Sequence, residues 1–469
     1  MSDHYDWIVI GAGPGGQKAA LCAAGAGAKV AVVERDAQPG GACVHRGTIP
    51  SKTLREAAVQ LSRFFRQAER FGLVLPSEVR FSHVRGQLDQ VIARHVGSIR
   101  DELALAGVDR IHGSARFVSP HELEVRSPSG ASRRLTAKHI VVATGSRPRN
   151  PPETPVDHDL VLDSDSVLGL EYLPHSLVII GGGIIACEYA AIFASLGVLV
   201  TIIDRAPRPL AFLDPELSEG FLRAFEAAGG VYLGDRKVRG LDPDGLAAVT
   251  TYTDGGEAVT SEKVMVALGR VPSTASLGLA EAGIAVDTHG RIPVDANGRT
   301  VAGHVYAVGD VIGPPALASY SMEQGRRAVM HALGLETGEA PSLVPMGIFT
   351  IPELAAVGET ERSARERFGE VTIGRADFAG IARGHIAGEP DGFLKLVADA
   401  EGERLLGVGI VGEGATELVH LGLLLLRSGG RVRELVEGVF NFPTMAEAYR
   451  VAALDLLARA RTGVRRRAA

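Results

Sequence analysis

The sequence predicts an α/β protein in which two parallel-sheet domains precede a C-terminal α+β domain. The first observation is that one pattern occurs twice: a short apolar strand, a glycine-rich turn and an alanine-rich helix. The second is that 58 of the 469 residues are glycine, well above the usual share of about 7%. The third is a change of pattern after Pro341, where strand-like segments precede helical ones. Such a sequence is typical of sheets connected to helices through many tight turns.

Length and composition limit the classes of protein to consider. At roughly 150 residues per domain, about three domains are expected. Lys+Arg number 49 and Asp+Glu 55, a net charge of −6, so no basic excess indicates a nucleic-acid partner. Cys22, Cys43 and Cys187 are too few for a disulfide framework and favour a reducing, cytoplasmic setting. The acidic N-terminal residues, without a basic region, argue against a secretory signal.

One segment has the length and apolarity of a membrane span. From Leu177 to Ile203 the only charged residue is Glu188, and this length would cross a bilayer. Three consecutive glycines, Gly181 to Gly183, interrupt the segment after a β-branched run. We therefore predict a buried strand–turn–helix–strand, since parallel strands are covered on both faces, and no membrane partner.

The first glycine-rich turn has the spacing of a dinucleotide fingerprint. Trp7–Ile10 is a short apolar strand, and the turn with Gly11, Gly13 and Gly16 leads into a helix. A second strand, Lys29–Val33, ends at Glu34. The glycines permit a tight turn and close approach of a pyrophosphate, and the helix N-terminus offers free N–H groups to the phosphates. The acid at the end of the second strand is expected to accept hydrogen bonds from a ribose.

The second turn repeats this arrangement 170 residues later. Leu177–Ile180 is followed by Gly181, Gly183 and Ala186, and the strand Val198–Ile203 ends at Asp204. In both copies 18 residues separate the last small residue from the acid (34 − 16 and 204 − 186). We therefore predict two Rossmann-like dinucleotide-binding domains. Two dinucleotides in one chain suggest a flavin and a nicotinamide, with hydride passing between them.

The remaining segments complete the predicted organisation. Segment 54–110 has helical periodicity, and a proline-rich stretch from Pro148 to Pro155 resembles a linker. Near the C-terminus, Phe393–Val397 and Leu405–Val411 are predicted strands, and Ala415–Arg427 a helix. The predicted segments have the bounds 1–150, 151–277, 278–341 and 342–469, with one fingerprint in each of the first two.

Several motifs resemble those of the pyridine nucleotide-disulfide oxidoreductases, the family of glutathione reductase and lipoamide dehydrogenase. They are Gly40–Cys43, Ile49–Lys52, Ala143–Pro148, Ala267–Arg270 and Tyr306–Asp310. The resemblance implies that the first fingerprint binds FAD, that the second binds NAD(P), and that Asp310 contacts the ribityl chain. It therefore implies an FAD-binding domain (1–150), an NAD(P)-binding domain (151–277), a return segment to the FAD domain (278–341), and an interface domain (342–469). It also implies a homodimer, or a higher homo-oligomer, formed through the C-terminal domain. The cofactor-binding residues predicted from fingerprints and resemblance are Gly11, Gly13, Gly16, Glu34, Cys43, Thr48, Lys52, Gly145, Asp310, Gly181, Gly183, Ala186, Asp204, Arg205, Gly269 and Arg270.

Two departures from the family pattern concern the chemistry. Members that reduce disulfides carry Cys-x4-Cys, but here Cys43 is followed by Thr48. They also carry His-Pro-Thr-x-x-Glu, contributed by the partner subunit, whereas this chain has Phe442 before Pro443 and retains Glu447. Disulfide exchange needs a thiolate and a proton donor, so electrons on FAD would have to leave to a nucleotide or to a diffusible acceptor.

The segments Gly41–Lys52, Leu210–Asp214 and Asn441–Leu454 resemble a branch of the family that exchanges hydride between nucleotides. The resemblance implies the reaction NADPH + NAD+ giving NADP+ + NADH. Hydride would pass to flavin N5 and back in a ping-pong order. Two alternatives remain open: an FAD-dependent NAD(P)H:quinone reductase or diaphorase, and a non-catalytic, flavin-stabilised interaction or sensor protein.

Lys52 and Glu188 are the candidate catalytic residues. The resemblance implies that the Lys52 ammonium lies near flavin N5 and pairs with Glu188, where its charge would stabilise reduced flavin. An acid inside an apolar segment needs such a partner. The alternative is that Lys52 is a solvated lysine in the first turn of a helix.

Charged residues follow the second nucleotide strand. Asp204 favours the free 2′-hydroxyl of NAD, whereas Arg205, with help from Arg208, would accommodate the 2′-phosphate of NADP. The alternative is that both arginines are surface charges. The sequence shows no HxxxH or HExxH cluster and no ligand spacing around the cysteines, so we predict no metal site.

Overall fold

The first sheet combines strands from the N-terminal third of the chain. The computed structural model describes residues 3–72 and 81–468. Strands β3-β2-β1-β6-β5-β4 are neighbours in that order, with β1 parallel to β2 and β6, and β4 and β5 forming an antiparallel extension. The elements are β1 (Asp3–Ile10), α1 (Pro14–Gly25), β2 (Val30–Glu34), α2 (Gly41–His45), α3 (Thr48–Arg70), α4 (Phe81–Leu105), β3 (Asp109–His112), β4 (Ser114–Ser119), β5 (Glu122–Arg126), β6 (Ser132–Val142) and β7 (Ser146–Pro148).

Where it is described, the predicted helical segment 54–110 contains two long helices, and its residues 73–80 lie outside the described residues. α3 begins at Thr48, earlier than the periodicity indicated, and α4 ends at Leu105. The prediction is wrong at its C-terminal end, because Asp109–His112 forms strand β3 beside β2. Only Ile111 of this short strand is buried, so its sequence shows little of the apolar pattern that identifies a strand.

The second sheet is parallel and has the order β11-β10-β9-β15-β8. An antiparallel sheet, β12-β13-β14, follows β11 in the chain, and β16 pairs with β7 as a two-stranded ribbon between the two large sheets. The elements are β8 (Val161–Asp163), β9 (Ser176–Ile180), α5 (Ile184–Ser195), β10 (Leu199–Ile203), α6 (Pro215–Ala227), β11 (Val231–Leu233), β12 (Val238–Pro243), β13 (Val249–Thr253), β14 (Ala258–Ser261), β15 (Lys263–Val266) and β16 (Arg270–Pro272).

The apolar segment from Leu177 to Ile203 is folded as β9, α5 and β10, which confirms the predicted strand–turn–helix–strand. Nine consecutive residues of α5, from Ala186 to Ala194, are buried. Across the described parts of the chain, the helices are too short or too polar to cross a membrane.

The chain then returns to the first sheet and ends in an antiparallel one. β17 pairs with β6 in parallel, and the last sheet has the order β18-β19-β22-β21-β20. The predicted strand Leu405–Val411 and helix Ala415–Arg427 are both present. The elements are β17 (Val305–Ala307), α7 (Ala318–Ala332), β18 (Met346–Ile348), β19 (Leu354–Gly358), α8 (Glu361–Phe368), β20 (Val371–Asp377), α9 (Ala382–Ala387), β21 (Phe393–Asp399), β22 (Leu405–Val411), α10 (Ala415–Arg427), α11 (Val432–Glu437) and α12 (Glu447–Ala468).

Two glycines allow the returning helix α7 to pack directly against α1. A Cβ atom on Gly325 of α7 would collide with the carbonyl oxygen of Gly15, and one on Gly15 would lie 3.0 Å from the carbonyl oxygen of Ser321. This backbone contact holds the first glycine turn against the return segment.

The order of the strands in the two parallel sheets and in the last antiparallel sheet confirms the predicted α/β class, with two Rossmann-like sheets and a C-terminal α+β unit.

A buried lysine of the last sheet links that sheet to helix α6, which lies between β10 and β11 of the second sheet in the chain. Lys395 of β21 is 2% exposed, and its Nζ lies 3.1 Å from Asp214, 2.5 Å from Glu216 and 2.8 Å from Glu361. Asp214 is the N-cap of α6 and accepts the backbone N–H of Glu216. Arg375 adds a second positive charge, 2.6 Å from Glu216. The start of α6 is therefore anchored to the last sheet by a charge cluster in which Lys395 is the buried cation shared by three carboxylates.

We expect Lys395→Met to lower the free energy of unfolding by about 3–5 kcal/mol, because it leaves the buried Asp214 carboxylate without its cation. Burial pushes the pKa of Lys395 down, but its bonds to Glu216, Glu361 and Asp214 outweigh this and raise it. Its contribution is therefore complete at neutral pH and lost only as the pH rises through that higher pKa. Chemical unfolding at pH 7 measures the difference from wild type.

Lowering the pH should reduce the difference in unfolding free energy between Lys395→Met and the wild type. Burial raises the pKa of Glu361, but Lys395 and Arg365 outweigh it and hold the pKa low, so the pair is lost as the pH falls through the carboxyl range, roughly pH 5 to 3. Lys138→Met is the matched control, since the exposed Lys138–Asp6 pair should contribute less than about 1 kcal/mol. Equal destabilisation by the two variants would contradict the role given to Lys395.

Candidate active site

The turn between β1 and α1 has the shape of a phosphate-binding loop. Gly11 has φ +102°, and a Cβ atom there would collide with the carbonyl oxygen of Ala143. A Cβ atom on Gly16 would collide with the carbonyl oxygen of Gly11. Gly13 is the N-cap of α1 and supplies no side-chain cap, so first-turn N–H groups of α1 are available to a phosphate.

Glu34 lies beside this turn at the end of β2. Its Oε2 accepts the backbone N–H of Ala12 at 2.7 Å, and its Oε1 accepts that of Asp36 at 3.0 Å. These bonds fix the carboxylate, and each oxygen retains a lone pair for a ribose hydroxyl. The turn and the acid thus fit the adenosine end of a dinucleotide such as FAD.

The second turn repeats this geometry between β9 and α5. Gly181 has φ +114°, and a Cβ atom there would meet the carbonyl oxygen of Ala267. Gly182 has no room for a side chain because Asp204 lies against it. Gly183 is the N-cap of α5, and Ala186 is fully buried in that helix. This turn therefore also fits a dinucleotide, with Asp204 at the end of β10 next to it.

Lys52 and Glu188 form a close ion pair between the two nucleotide-binding regions. Lys52 Nζ lies 2.6 Å from Glu188 Oε2, and the two side chains are 25% and 6% exposed. The other carboxylate oxygen, Oε1, accepts the backbone N–H of Phe349 at 2.9 Å. The Lys52 ammonium also lies 4.9 Å from the centre of the Phe349 ring, within cation–π range. Glu188 is thus bound to both α3 and the start of the interface domain.

A second chain of hydrogen bonds links the same regions through the β7–β16 ribbon. Arg270 Nε donates to Ser146 Oγ at 2.8 Å, and Ser146 Oγ donates to Asp310 Oδ2 at 2.6 Å. The guanidinium also donates to Ser164 Oγ at 3.3 Å and lies 3.5 Å from Asp165. Because the hydroxyl has one proton, accepting from Arg270 directs that proton to Asp310.

Cys43 lies near Thr48 and Lys52. Burial raises the pKa of the Cys43 thiol, and the hydrogen bond with Thr48 and the charge of Lys52 only partly oppose this. The thiol is therefore protonated at neutral pH. All three cysteines, Cys22, Cys43 and Cys187, are free.

The structure brings several predicted residues together and separates others. Phe442 is 69% exposed on its own chain, and Glu447 accepts a weak 3.4 Å hydrogen bond from the N–H of Thr444 at the start of α12. Arg205 lines a pocket with Asp204. Arg208 instead donates to the carbonyl of Ala211 at 3.2 Å and does not line that pocket. In the described residues, no group of three or more His, Cys, Asp or Glu side chains is arranged to hold a metal ion.

Sequence reasoning missed some contributions to the site. Phe349 acts through its backbone N–H, and no sequence signal distinguishes it. Ser146 lies in the motif Ala143–Pro148, but its hydrogen-bond partner Asp310 is 164 residues away in the sequence. Arg236 and Lys237 line the pocket of Arg205; the available signal was only that two basic residues are adjacent in the sequence.

Comparison with known families agrees with this architecture. The pyridine nucleotide-disulphide oxidoreductase model matches residues 5–325, and the dimerisation domain of the same family matches residues 344–453. A soluble pyridine nucleotide transhydrogenase of Mycobacterium tuberculosis is 42% identical over 97% of both chains. One from Pseudomonas putida is 39% identical over 97% of this chain and 99% of the relative.

Solved structures show the same fold over nearly the whole chain. The HOCl-induced flavoprotein disulfide reductase RclA from Escherichia coli, in its Cu(II) complex, superposes with a TM-score of 0.88 at 28% identity, covering 98% of this chain and 100% of RclA. LpdA from Mycobacterium tuberculosis gives 0.89 at 27% identity, covering 96% and 99%. With both family domains matched in order, and two phosphate-binding turns at the expected places, this chain belongs to the pyridine nucleotide-disulphide oxidoreductase family.

Proposed function

We propose that this protein is an FAD-dependent transhydrogenase that exchanges hydride between NADPH and NAD+ without a redox-active disulfide. The observation that carries the proposal is the pairing of Cys43 with Thr48 next to the Lys52–Glu188 ion pair. Threonine cannot form a disulfide, and burial raises the pKa of the half-buried Cys43 thiol, so it is held protonated. A reaction through the nicotinamide nucleotides needs neither a thiolate nor the histidine that Phe442 replaces.

FAD, when bound, supplies the carrier that accepts two electrons from one nicotinamide and returns them to another. The protein's own residues supply binding and charge. The turn at Gly11 to Gly16 and Glu34 would hold the adenosine diphosphate half of FAD, and Asp310, oriented by Ser146, would hold its ribityl chain. Lys52, positioned by its ion pair with Glu188, would offset negative charge that develops on the reduced cofactor.

The second turn, at Gly181 to Gly183, provides the site for both nicotinamide nucleotides in turn. A single site used first by NADPH and then by NAD+ corresponds to a ping-pong order. Both transhydrogenase relatives cover almost their full length in the comparison, which supports assigning the same activity here. The cytoplasmic location expected from the three cysteines is part of this proposal.

We further propose that the protein acts as a homodimer formed through its C-terminal domain, whose family model is named for dimerisation. Exposed apolar side chains support this, since large exposed patches mark interaction surfaces. The hydroxyl of Tyr449 on α12 accepts the N–H of Gly422 and donates to the carbonyl of Leu418 on α10, so the two helices are adjacent. The exposed apolar residues on and near them are Leu421, Leu424, Val439, Phe442, Val451 and Leu454.

Anaerobic stopped-flow spectroscopy tests the activity directly. The holoenzyme is reduced with one equivalent of NADPH and then mixed with NAD+. We expect the oxidised flavin spectrum to return at the turnover rate, with one NADH formed per flavin. If NAD+ leaves the flavin reduced while a quinone reoxidises it rapidly, the protein is a quinone reductase. Flavin that NADPH does not reduce would indicate a binding or sensor protein.

We expect Lys52→Met to slow flavin reduction by NADPH about a hundredfold, the loss typical of removing one preorganised electrostatic group. Since the variant leaves Glu188 buried and unpaired, Lys52→Met/Glu188→Gln removes both charges and should be equally slow with less loss of stability. Lys138→Met, which removes a surface lysine from its pair with Asp6, is the control and should react at the wild-type rate. Normal reduction of the double variant would argue against the role of Lys52.

Cys43→Ser should exchange hydride at nearly the wild-type rate, because the proposed reaction forms no bond to the thiol. Cys22→Ser, outside the site, controls for the loss of a thiol elsewhere in the protein. Steady-state transhydrogenation with NADPH and NAD+ provides the measurement. A decrease of about tenfold, a barrier increase of ~1.4 kcal/mol, in Cys43→Ser alone would show that the thiol participates.

A further inference from the structure

The second sheet carries a pocket of about 250 Å³ where β9, β10 and β15 end. Its apolar floor consists of Ile180, Ile203, Val238 and Leu268. Its charged rim contains the acids Glu153 and Asp204 and four cations, Arg149, Arg205, Arg236 and Lys237. An apolar floor suits the faces of an adenine ring, and an excess of cations at the rim suits an anion attached to it.

The cations come from three separate segments. Arg149 follows β7, Arg205 follows β10, and Arg236 and Lys237 follow β11. The last segment is held against the end of β10, because Arg236 N donates to the carbonyl of Asp204 at 2.9 Å and Asp235 N to that of Ala206 at 3.2 Å. Lys237 and Arg205 therefore line the pocket from two different segments, which are joined by backbone hydrogen bonds next to Asp204.

The four cations differ in whether their charge is already compensated. Arg236 Nε lies 2.6 Å from Glu257, and hydrogen bonds from Thr253 and Arg236 hold the pKa of Glu257 at about 2. That pair is therefore neutral overall at any working pH. Among the described residues, Arg149, Arg205 and Lys237 have no carboxylate within ion-pair distance. These three cations are free to bind an anionic group.

We propose that Lys237 determines the preference for the phosphorylated nucleotide, binding the 2′-phosphate of NADP(H) together with Arg205 and Arg149. Asp204 would serve the free 2′-hydroxyl of NAD(H), so that one pocket accepts both substrates. The inference rests on the proposed function, because it assigns the discriminating end of the nucleotide site used in that reaction. It adds two residues, Lys237 and Arg149, from segments outside the nucleotide fingerprint.

Nucleotide fragments test this assignment on the holoenzyme without requiring hydride transfer. Binding of 2′,5′-ADP and of 5′-AMP is measured by calorimetry. In Lys237→Ala we expect 2′,5′-ADP to bind about tenfold to a hundredfold more weakly, as expected for a lost charged hydrogen bond, with 5′-AMP changed little. Lys237→Arg should retain most of the preference for 2′,5′-ADP.

Arg239→Ala is the matched control, because Arg239 is an exposed cation two residues further on and does not line the pocket. It changes the net charge equally and should leave both fragments unaffected. Equal weakening of both fragments by Lys237→Ala, or no weakening of either, would overturn the assignment. The fragment preference is independent of the NAD+ reoxidation experiment, so either proposal can fail while the other stands.

Discussion

The arrangement of the three domains depends on one buried carboxylate, that of Glu188. A charged group within an otherwise apolar helix must be paired or protonated. Here Glu188 satisfies one oxygen with Lys52 of the first domain and the other with the N–H of Phe349, at the start of the third. Loss of Lys52 would leave a buried charge unpaired, and loss of the Phe349 N–H would leave one carboxylate oxygen without its donor, so both contacts favour the meeting of all three segments at helix α5.

A second connection runs through the β7–β16 ribbon and has a defined direction. Ser146 Oγ accepts a hydrogen bond from Arg270, and its single proton is therefore donated to Asp310. Asp165, on the second domain, lies on the other side of the guanidinium. The residue expected to hold the ribityl chain of FAD is thus oriented by a side chain that is itself held by the nucleotide-binding domain. Lys395 provides the corresponding anchor between the second and third domains.

This chain departs from the pattern of the disulfide-reducing members at two positions. Thr48 stands in place of the second cysteine and Phe442 in place of the histidine, while the fold agrees with the family. Burial raises the pKa of the half-buried Cys43 thiol, and Thr48 and Lys52 only partly oppose this, so the cysteine has little nucleophilic character. The proposed hydride exchange would therefore depend on charge and position in this site, without a thiolate.

The sequence by itself determined the parts of this protein that depend on local geometry. The glycines of each turn, the helix that follows and the acid 18 positions after the last small residue lie close together in the sequence, so the conformation of both glycine-rich turns could be predicted. Helix periodicity likewise located most of α3, α4 and α10. Residues 109 and 110 were misassigned as helix because their strand conformation comes from pairing with β2, not from their own pattern. The tertiary structure alone decided that a backbone N–H from Phe349 would complete the environment of Glu188, that Ser146 would orient Asp310, and that Lys237 would stand beside Asp204. Each of these contacts joins residues that are far apart in the chain. The chemistry of a side chain does not show which distant residue it will contact, because that is decided only when the sheets assemble.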